Sequence, residues 1–139
     1  MSVTLVDTGP LVALLDRSDS GHEWAVEVFK SLRPPLLTCE AVLAEAWHLL
    51  GDSGPSRVAL AQLHASGIIR VAFDFETEAA AIWRFLEKYA DVPMDYADAC
   101  MVRMAELHPR SQVWTMDADF RVYRRSGRQT IPLLSPLAI

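Results

Sequence analysis

The sequence has few of the residues that build disulfide-bonded, zinc-binding or membrane-spanning proteins. Only two of its 139 residues are cysteines, Cys39 and Cys100, and they are too far apart for a C-x-x-C motif. A disulfide scaffold and a zinc ribbon are therefore not expected. No apolar run approaches the roughly 18 residues of a membrane-spanning helix, and the N-terminal segment lacks the basic start of a secretory signal. We expect a cytoplasmic protein with no membrane segment.

Basic residues are outnumbered by acidic ones. The chain has 13 lysines and arginines against 18 aspartates and glutamates, which gives a net charge of −5. This balance argues against a protein that binds phosphate through a simple basic surface. It does not exclude a nucleic-acid enzyme whose acidic residues hold cations, so the question becomes where the acids lie.

Apolar residues are abundant and occur in short strands that alternate with helices. Hydrophobic residues make up 51% of the chain and the mean hydropathy is +0.14, which favours one folded domain spanning residues 1–139. The pattern predicts an α/β fold, a three-layer α/β/α sandwich with a mostly parallel sheet of four to five strands. The predicted strands are 3–6, 36–38, 68–73, 112–115 and 130–131, and the last predicted helix is 117–125.

Two acids directly follow predicted strands. Asp7 ends the first strand, and Asp117 follows the fourth. Ligands of open α/β sheets bind outside the carboxyl ends of the strands, so both are candidates for a site there. The competing interpretation is an ordinary turn or N-cap aspartate, which is the commoner role at such positions.

Two further acids lie at helix positions that border the predicted core. Glu45 lies about 40° beyond the edge of the apolar arc of helix 40–50, so its carboxylate emerges beside the core or extends to water. Asp95 is a good N-cap for the helix after Pro93, and Asp98 then occupies the N3 position, which the helix dipole favours. Asp98 also shares a face with apolar residues, with no Lys or Arg one turn away, and therefore needs a partner or a metal ion.

These four acids, with Asp119 beside the last, come from four separate segments. A cluster of carboxylates persists only if cations or protons neutralise it. Oxygen-rich sites suit Mg²⁺ or Mn²⁺, and such ions serve phosphodiester hydrolysis. The sequence thus predicts a divalent-metal site for phosphodiester cleavage.

Four motifs resemble those of PIN-domain ribonucleases, and most of all the toxin component of a VapBC toxin–antitoxin system. In chain order they are VDTGPLVALLD at 6–16, VLAE at 42–45, MDYADA at 94–99 and TMDADF at 115–120. Their order and spacing fit over essentially the whole chain. The resemblance implies a PIN-like fold and an endoribonuclease that uses metal-activated water.

The resemblance also implies particular residues and partners. The implied catalytic and metal-binding acids are Asp7, Glu45, Asp98 and Asp117, with Asp119 as an accessory metal ligand and with Thr8 and Thr115 as orienting residues. The implied cofactor is Mg²⁺ or Mn²⁺. The implied partners are an RNA substrate, a second copy of the chain in a homodimer, and a cognate antitoxin that places a basic side chain on the carboxylates.

An arginine-rich segment follows the last motif. Arg121, Arg124, Arg125 and Arg128 surround Tyr123. Such a segment can bind RNA phosphates while the aromatic ring stacks on a base. The alternative is a solvated helix face, and the sequence does not decide between the two.

Two other functions would also place an aspartate at the end of the first strand, but the chain lacks a residue that each usually has. A phosphatase of the haloacid dehalogenase type needs a second aspartate two residues after Asp7, where this chain has Gly9. A non-catalytic interaction module, such as a receiver domain, usually has a lysine near the site. Lys30 and Lys88, the only lysines, fall on predicted helices away from the strand ends.

Overall fold

The structure, a computed structural model, describes residues 2–136. Its centre is a five-stranded parallel sheet with the strand order β3-β2-β1-β4-β7. The strands of this sheet are β1 (Val3–Val6), β2 (Leu36–Thr38), β3 (Ile69–Val71), β4 (Ser111–Trp114) and β7 (Leu133–Leu134). Two more short strands, β5 (Arg124–Arg125) and β6 (Gln129–Thr130), pair antiparallel in a separate hairpin. The predicted α/β fold with a mostly parallel sheet is confirmed.

Six α-helices flank the sheet. They are α1 (Thr8–Leu15), α2 (His22–Ser31), α3 (Glu40–Leu50), α4 (Gly54–Ala65), α5 (Phe75–Lys88) and α6 (Tyr96–Leu107), and a single 3₁₀ turn covers Ala118–Arg121. Helix α1 contacts α2, α3 and α4, whereas α5 packs on α6. Within the described residues no helix is both long and apolar enough to cross a membrane.

The short strands are apolar because they lie in the core. β1, β2 and β4 are buried for most of their length, as expected for parallel strands covered on both faces. Trp114 of β4 is fully buried, with its ring centroid 6.3 Å from that of Trp24 and 6.5 Å from that of Phe29. These contacts fasten α2 to the sheet through aromatic packing.

The pairing of β1 with β4 positions the candidate site. The two strands are parallel neighbours, and Val6 lies opposite Trp114 in the register. The residues that follow them therefore leave the same edge of the sheet side by side. One of these residues is Asp7, and the segment after Trp114 leads to Asp117.

The C-terminal part differs from two predictions. The predicted helix 117–125 is wrong, because only the single 3₁₀ turn forms before the chain enters β5. The chain then reverses at Ser126 and Gly127, both of which have positive φ. The predicted fifth strand 130–131 is also misplaced, since residues 129–130 belong to this hairpin and the fifth strand of the main sheet is β7.

Candidate active site

A cavity of about 300 Å³ opens at the carboxyl ends of β1 and β4, and acidic side chains dominate its lining. Its described lining residues are Asp7, Thr8, Gly9, Glu45, Leu49, Asp95, Asp98, Met116 and Asp117. We call it the acidic cavity. All four acids that the strand-end and helix-face arguments selected line it, and no Lys or Arg is among the described lining residues.

Asp7 is held at the base of the acidic cavity by Thr115. The Thr115 hydroxyl, itself fully buried, donates to Asp7 Oδ2 at 2.7 Å and accepts from the Asp117 backbone N–H at 3.0 Å. Asp7 stands at the N-cap of α1, but its side chain accepts no capping hydrogen bond from that helix. The ordinary capping role therefore does not account for this carboxylate.

Asp98 takes part in a capping box and also faces the acidic cavity. Asp95 Oδ1 accepts from the Asp98 N–H at 2.8 Å, and Asp98 Oδ2 accepts from the Asp95 N–H at 3.1 Å. This reciprocal pair fixes the start of α6. The Tyr123 hydroxyl lies 3.5 Å from the same Oδ2. Asp98 is only 9% exposed, so the cap places its carboxylate in the wall of the cavity rather than in solvent.

Asp117 is positioned by the loop after β4. Its Oδ1 accepts from the Asp119 N–H at 2.9 Å, which begins the 3₁₀ turn. The loop packs closely on α1 at Gly9, where a Cβ would lie 3.3 Å from Met116 Cβ. Glycine at this position therefore lets α1 approach the segment that carries Asp117.

Burial, together with neighbouring negative charge, raises the pKa of two carboxyl groups in the cavity, Asp7 and Asp98. Burial raises the pKa of Asp7 to about 6, and the charges of Asp117 and Glu45 act in the same direction, against the hydrogen bond from Thr115. Burial also raises the pKa of Asp98 well above its usual range, with repulsion from Asp95, Asp7 and Asp117 adding to it. The cavity therefore holds more negative charge than its surroundings can stabilise without protons or cations.

The donor set fits a hard divalent cation. It consists of carboxylate oxygens, with the Thr8 hydroxyl as a further oxygen that is buried and has no hydrogen-bond partner in the described structure. Among the described residues, no three acidic, histidine or cysteine side chains are already close enough to enclose one ion. Mg²⁺ does not require such a cage, because it keeps several waters and binds through one or two carboxylates together with phosphate.

Not every predicted residue lies in the acidic cavity. Asp119 is half-buried and contributes to the 3₁₀ turn, but it is not among the described lining residues. Asp95, which the sequence indicates only as a cap, does line the cavity, as do Leu49 and Met116. The sequence could have predicted that Asp95 lines the cavity, because it lies three residues before Asp98. A capping box with this spacing holds both side chains at the same helix end.

The Tyr123 ring is not accessible for stacking on an RNA base, which was one of the two interpretations of the arginine-rich segment. Its ring is fully buried between Tyr89 and Phe120, with centroid distances of 5.3 and 5.1 Å. Its hydroxyl donates to the Pro93 carbonyl. An apolar body in the core with its polar end satisfied is the usual state of a buried tyrosine, and here it supports the segment before α6.

Two of the arginines are engaged by the protein itself. One guanidinium nitrogen of Arg124 donates to the carbonyls of Arg121, Val122 and Tyr123. Arg125 contacts the Ala105 carbonyl at 3.4 Å. Neither side chain lines the acidic cavity. These contacts are those of residues that close the 3₁₀ turn and attach the hairpin to α6.

A parallel α/β sheet with an acidic, oxygen-lined cavity at its carboxyl edge is the arrangement expected of a metal-dependent phosphodiesterase. The family model of the PIN domain matches residues 4–126. The chain therefore belongs to the PIN domain family.

Known proteins agree with this assignment. The 23S rRNA-specific endonuclease VapC20 of Mycobacterium tuberculosis, found in two strains, is 28% identical over 120 residues, which cover 83% of this chain and 89% of that protein. A crystal structure of M. tuberculosis VapC20, described as a sarcin-ricin loop cleaving toxin, is similar with a TM-score of 0.75 at 24% identity. It covers 86% of this chain and 93% of that one. The structural likeness shows the same fold.

Proposed function

We propose that this PIN-domain protein is a VapC-type toxin, an endoribonuclease that cleaves RNA phosphodiesters at the acidic cavity. The observation that carries the proposal is the composition of the cavity wall. Five carboxylates line it, and none of the described lining residues is basic. A phosphodiester is repelled from such a wall unless divalent cations lie between them. The relationship to an rRNA endonuclease supports RNA as the substrate.

Each residue has a role that its position supports. Asp7, Glu45, Asp98 and Asp117 would hold the ions, for which we propose Mg²⁺ or Mn²⁺, and Asp119 would assist through water. When bound, these ions supply positive charge for the phosphate oxygens and lower the pKa of the attacking water. Thr115 keeps Asp7 in one orientation. The Thr8 hydroxyl, unpartnered in the described structure, would contact a water or a phosphate oxygen.

The relatives indicate which RNA to test first. VapC20 is described as specific for 23S rRNA and as cleaving the sarcin-ricin loop. We propose that a structured loop of ribosomal RNA is the first substrate to test here. We propose products with a 5′-phosphate and a 3′-hydroxyl, which the resemblance to PIN-domain ribonucleases implies.

The proposed partners are an antitoxin and a second copy of the chain. A VapB-type antitoxin would inhibit the enzyme by directing a basic side chain into the acidic cavity, which has a charge complementary to it. We further propose that the chain is a single domain over 1–139, forms a homodimer and acts in the cytoplasm. Light scattering after gel filtration, with and without the co-expressed antitoxin, measures the assembly states.

The rival functions find no support in the site. The position two residues after Asp7 is Gly9, whose hydrogen side chain cannot serve as the acid of a haloacid dehalogenase-type phosphatase. A receiver-type module would have a lysine at the site. Neither Lys30 nor Lys88 lines the acidic cavity.

The experiment that tests the proposal is RNA cleavage in vitro. Total ribosomal RNA and a sarcin-ricin loop oligonucleotide are incubated with the protein in chelator, Mg²⁺ or Mn²⁺. We expect cleavage only with a divalent ion, and its loss in an Asp98→Asn variant that retains its fold by circular dichroism. Cleavage in chelator, or undiminished cleavage by the variant, contradicts the proposal.

A further inference from the structure

A second cavity lies beside the acidic cavity, and both are lined in part by residues of α3 and of the start of α6. It has a volume of about 280 Å³ and is lined by Cys39, Glu40, Ala41, Ala44, Phe73, Phe75, Tyr96 and Cys100. We call it the aromatic cavity. On α3, Ala44 of this cavity directly precedes Glu45 of the acidic one, and before α6, Asp95 of the acidic cavity directly precedes Tyr96. Consecutive Cα atoms are about 3.8 Å apart, so the linings of the two cavities adjoin at these two places.

The aromatic residues of this cavity are held in place before any ligand arrives. The Tyr96 ring stacks on Trp83 with a centroid distance of 6.5 Å, and Phe75 packs edge-on against both. Tyr96 nevertheless remains 41% exposed and Trp83 57% exposed. Exposed rings fixed in this way form a stacking surface of low conformational entropy.

Glu40 adds a polar group to an otherwise apolar lining. It is exposed at the first turn of α3, and none of the described side chains pairs with it. A carboxylate has two acceptor oxygens and can receive two parallel N–H bonds. On the Watson–Crick edge of a base, two adjacent N–H donors are presented by guanine, at N1 and N2. Adenine, cytosine and uracil present a donor next to an acceptor.

We infer that the aromatic cavity binds the nucleobase next to the scissile phosphate, with guanine preferred. The base stacks on Tyr96 while Glu40 accepts from its Watson–Crick edge, the mode by which proteins read unpaired RNA bases. The volume is just below the roughly 300–1,000 Å³ of drug-sized sites, which suits a single flat ring system. The inference rests on the proposed function, because the phosphate must lie in the acidic cavity for its own nucleotide to reach this neighbour.

The test is a coupling measurement between protein and substrate. The substrates are short RNAs that contain the cleaved linkage. In each set, the nucleotide on one side of this linkage carries one of the four bases or is an abasic sugar. Wild type, Tyr96→Leu and Glu40→Gln are compared by kcat/KM. Leu107→Ala, an exposed residue of the same helix, and Glu23→Gln, an exposed acid of α2, are the matched controls.

We expect wild type to favour guanine at one of the two positions. The loss of stacking in Tyr96→Leu should lower kcat/KM by about five- to a hundredfold on the guanine substrate. The same variant should cleave the abasic substrate as fast as wild type. Glu40→Gln should remove the preference for guanine over adenine, while both controls keep it.

Other results overturn the inference. Equal losses on the guanine and abasic substrates show that Tyr96 supports the fold and does not contact a base. Unchanged cleavage together with weaker antitoxin binding in Tyr96→Leu assigns this surface to a protein partner. In either case Asp98→Asn remains inactive, so the proposed function stands. If wild type cleaves none of these RNAs with any divalent ion, the proposed function fails first.

A direct binding measurement keeps the inference testable without catalysis. Guanosine 5′-monophosphate and the three other nucleoside monophosphates are titrated with Mn²⁺ into wild type and Tyr96→Leu by calorimetry. Tighter binding of the guanine nucleotide, weakened at least fivefold in the variant, supports the inference. Equal affinities for all four nucleotides contradict it.

Discussion

Asp7 and Asp74 occupy the same local position in two different surroundings. Each is an N-cap residue with extended backbone, Asp7 before α1 and Asp74 before α5. Asp74 is exposed, and it accepts from the Glu76 N–H at 3.1 Å and from the Thr77 hydroxyl at 2.7 Å, which lowers the pKa of its carboxyl. Asp7 is buried and accepts no capping bond, and its pKa is raised to about 6.

The comparison shows what separates a structural acid from a functional one. The charge of Asp74 is stabilised by donors and water, so it stabilises the helix. The charge of Asp7 is destabilised by burial and by Glu45 and Asp117. A fold that retains such a carboxylate needs a proton or a cation to neutralise it.

The largest expected effect separates the two aspartates by activity. Asp7→Asn should lower RNA cleavage by about a thousandfold, because it removes one of the carboxylates that hold the cations. Asp74→Asn should cleave RNA at the wild-type rate while its melting temperature falls only slightly, because the amide oxygen still caps α5 and only the charge at the helix N-terminus is lost. Initial rates at saturating Mn²⁺ measure the first effect, and thermal unfolding measures the second. Equal rates of RNA cleavage by Asp7→Asn and Asp74→Asn would contradict the assignment of Asp7 as a functional acid and Asp74 as a structural one.

The second prediction concerns the stability of the metal-free protein against pH. Because the pKa of Asp7 is higher in the folded state than its ordinary value of 3.8, the folded state binds more protons between about pH 4 and 6. Stability should therefore be greatest at the acid end of this range and fall as the pH rises through 6, by about 3 kcal/mol from Asp7. The raised pKa of Asp98 extends the decline to higher pH.

Urea unfolding in chelator at several pH values measures this trend, and Asp7→Asn should flatten it. Asp74 has the opposite sign, since the stability from its lowered pKa is present above the unfolded value and is lost in stronger acid. Asp74→Asn should consequently leave the slope between pH 5 and 8 unchanged. A wild-type protein that gains stability steadily from pH 5 to 8 without metal contradicts the account.

A third prediction compares the two threonines that donate to these aspartates. Thr115→Val removes the hydroxyl that orients Asp7, and cleavage should fall by about ten- to a hundredfold. The pKa of Asp7 should rise further, which moves the pH profile of cleavage toward higher pH. Thr77→Val removes the corresponding bond to Asp74 and should change neither. A rate loss in Thr115→Val without any shift of the pH profile would indicate a packing defect.

The smallest effect is expected at the arginines of the hairpin. Arg124 and Arg125 contact backbone carbonyls of the protein, so the double variant Arg124→Gln, Arg125→Gln should lose stability. The salt dependence of RNA binding should change by less than the roughly 0.7 unit that one lost phosphate contact causes in single strands. Filter binding from low to high salt measures this dependence. If the slope of RNA affinity against salt concentration fell by one to two units in the double variant, Arg124 and Arg125 would be assigned to RNA binding.

The acidic site could be predicted from the sequence because it depends on local patterns, which are the ends of strands and the faces of helices. Buried parallel strands are apolar throughout and end abruptly, so Asp7 and Asp117 could be placed at one edge, and the helical period could bring Glu45 and Asp98 beside them. The Asp95 cap was also predictable, because it depends on residues only three positions apart.

The C-terminal region depends on contacts that no local pattern contains. The ring of Tyr123 is buried by Tyr89 and Phe120, and this packing ends the turn that local propensity extends into a helix. The arginines look solvent-directed in the sequence, but Arg124 donates to carbonyls freed at the end of the 3₁₀ turn, and Arg125 contacts the Ala105 carbonyl of α6. The Ser126-Gly127 reversal was a turn signal in the sequence that could have indicated the hairpin.

The central claim is that the acidic cavity keeps protons when no cation is bound and releases them when one binds. Calorimetric titration of Mn²⁺ at pH 6 in buffers with different heats of ionisation counts the protons released. The account predicts about one to two protons per ion at pH 6, fewer as the pH rises, fewer in Asp7→Asn and the same number in Asp74→Asn. Mn²⁺ binding that releases no protons at pH 6, or that is identical in Asp7→Asn, would contradict it.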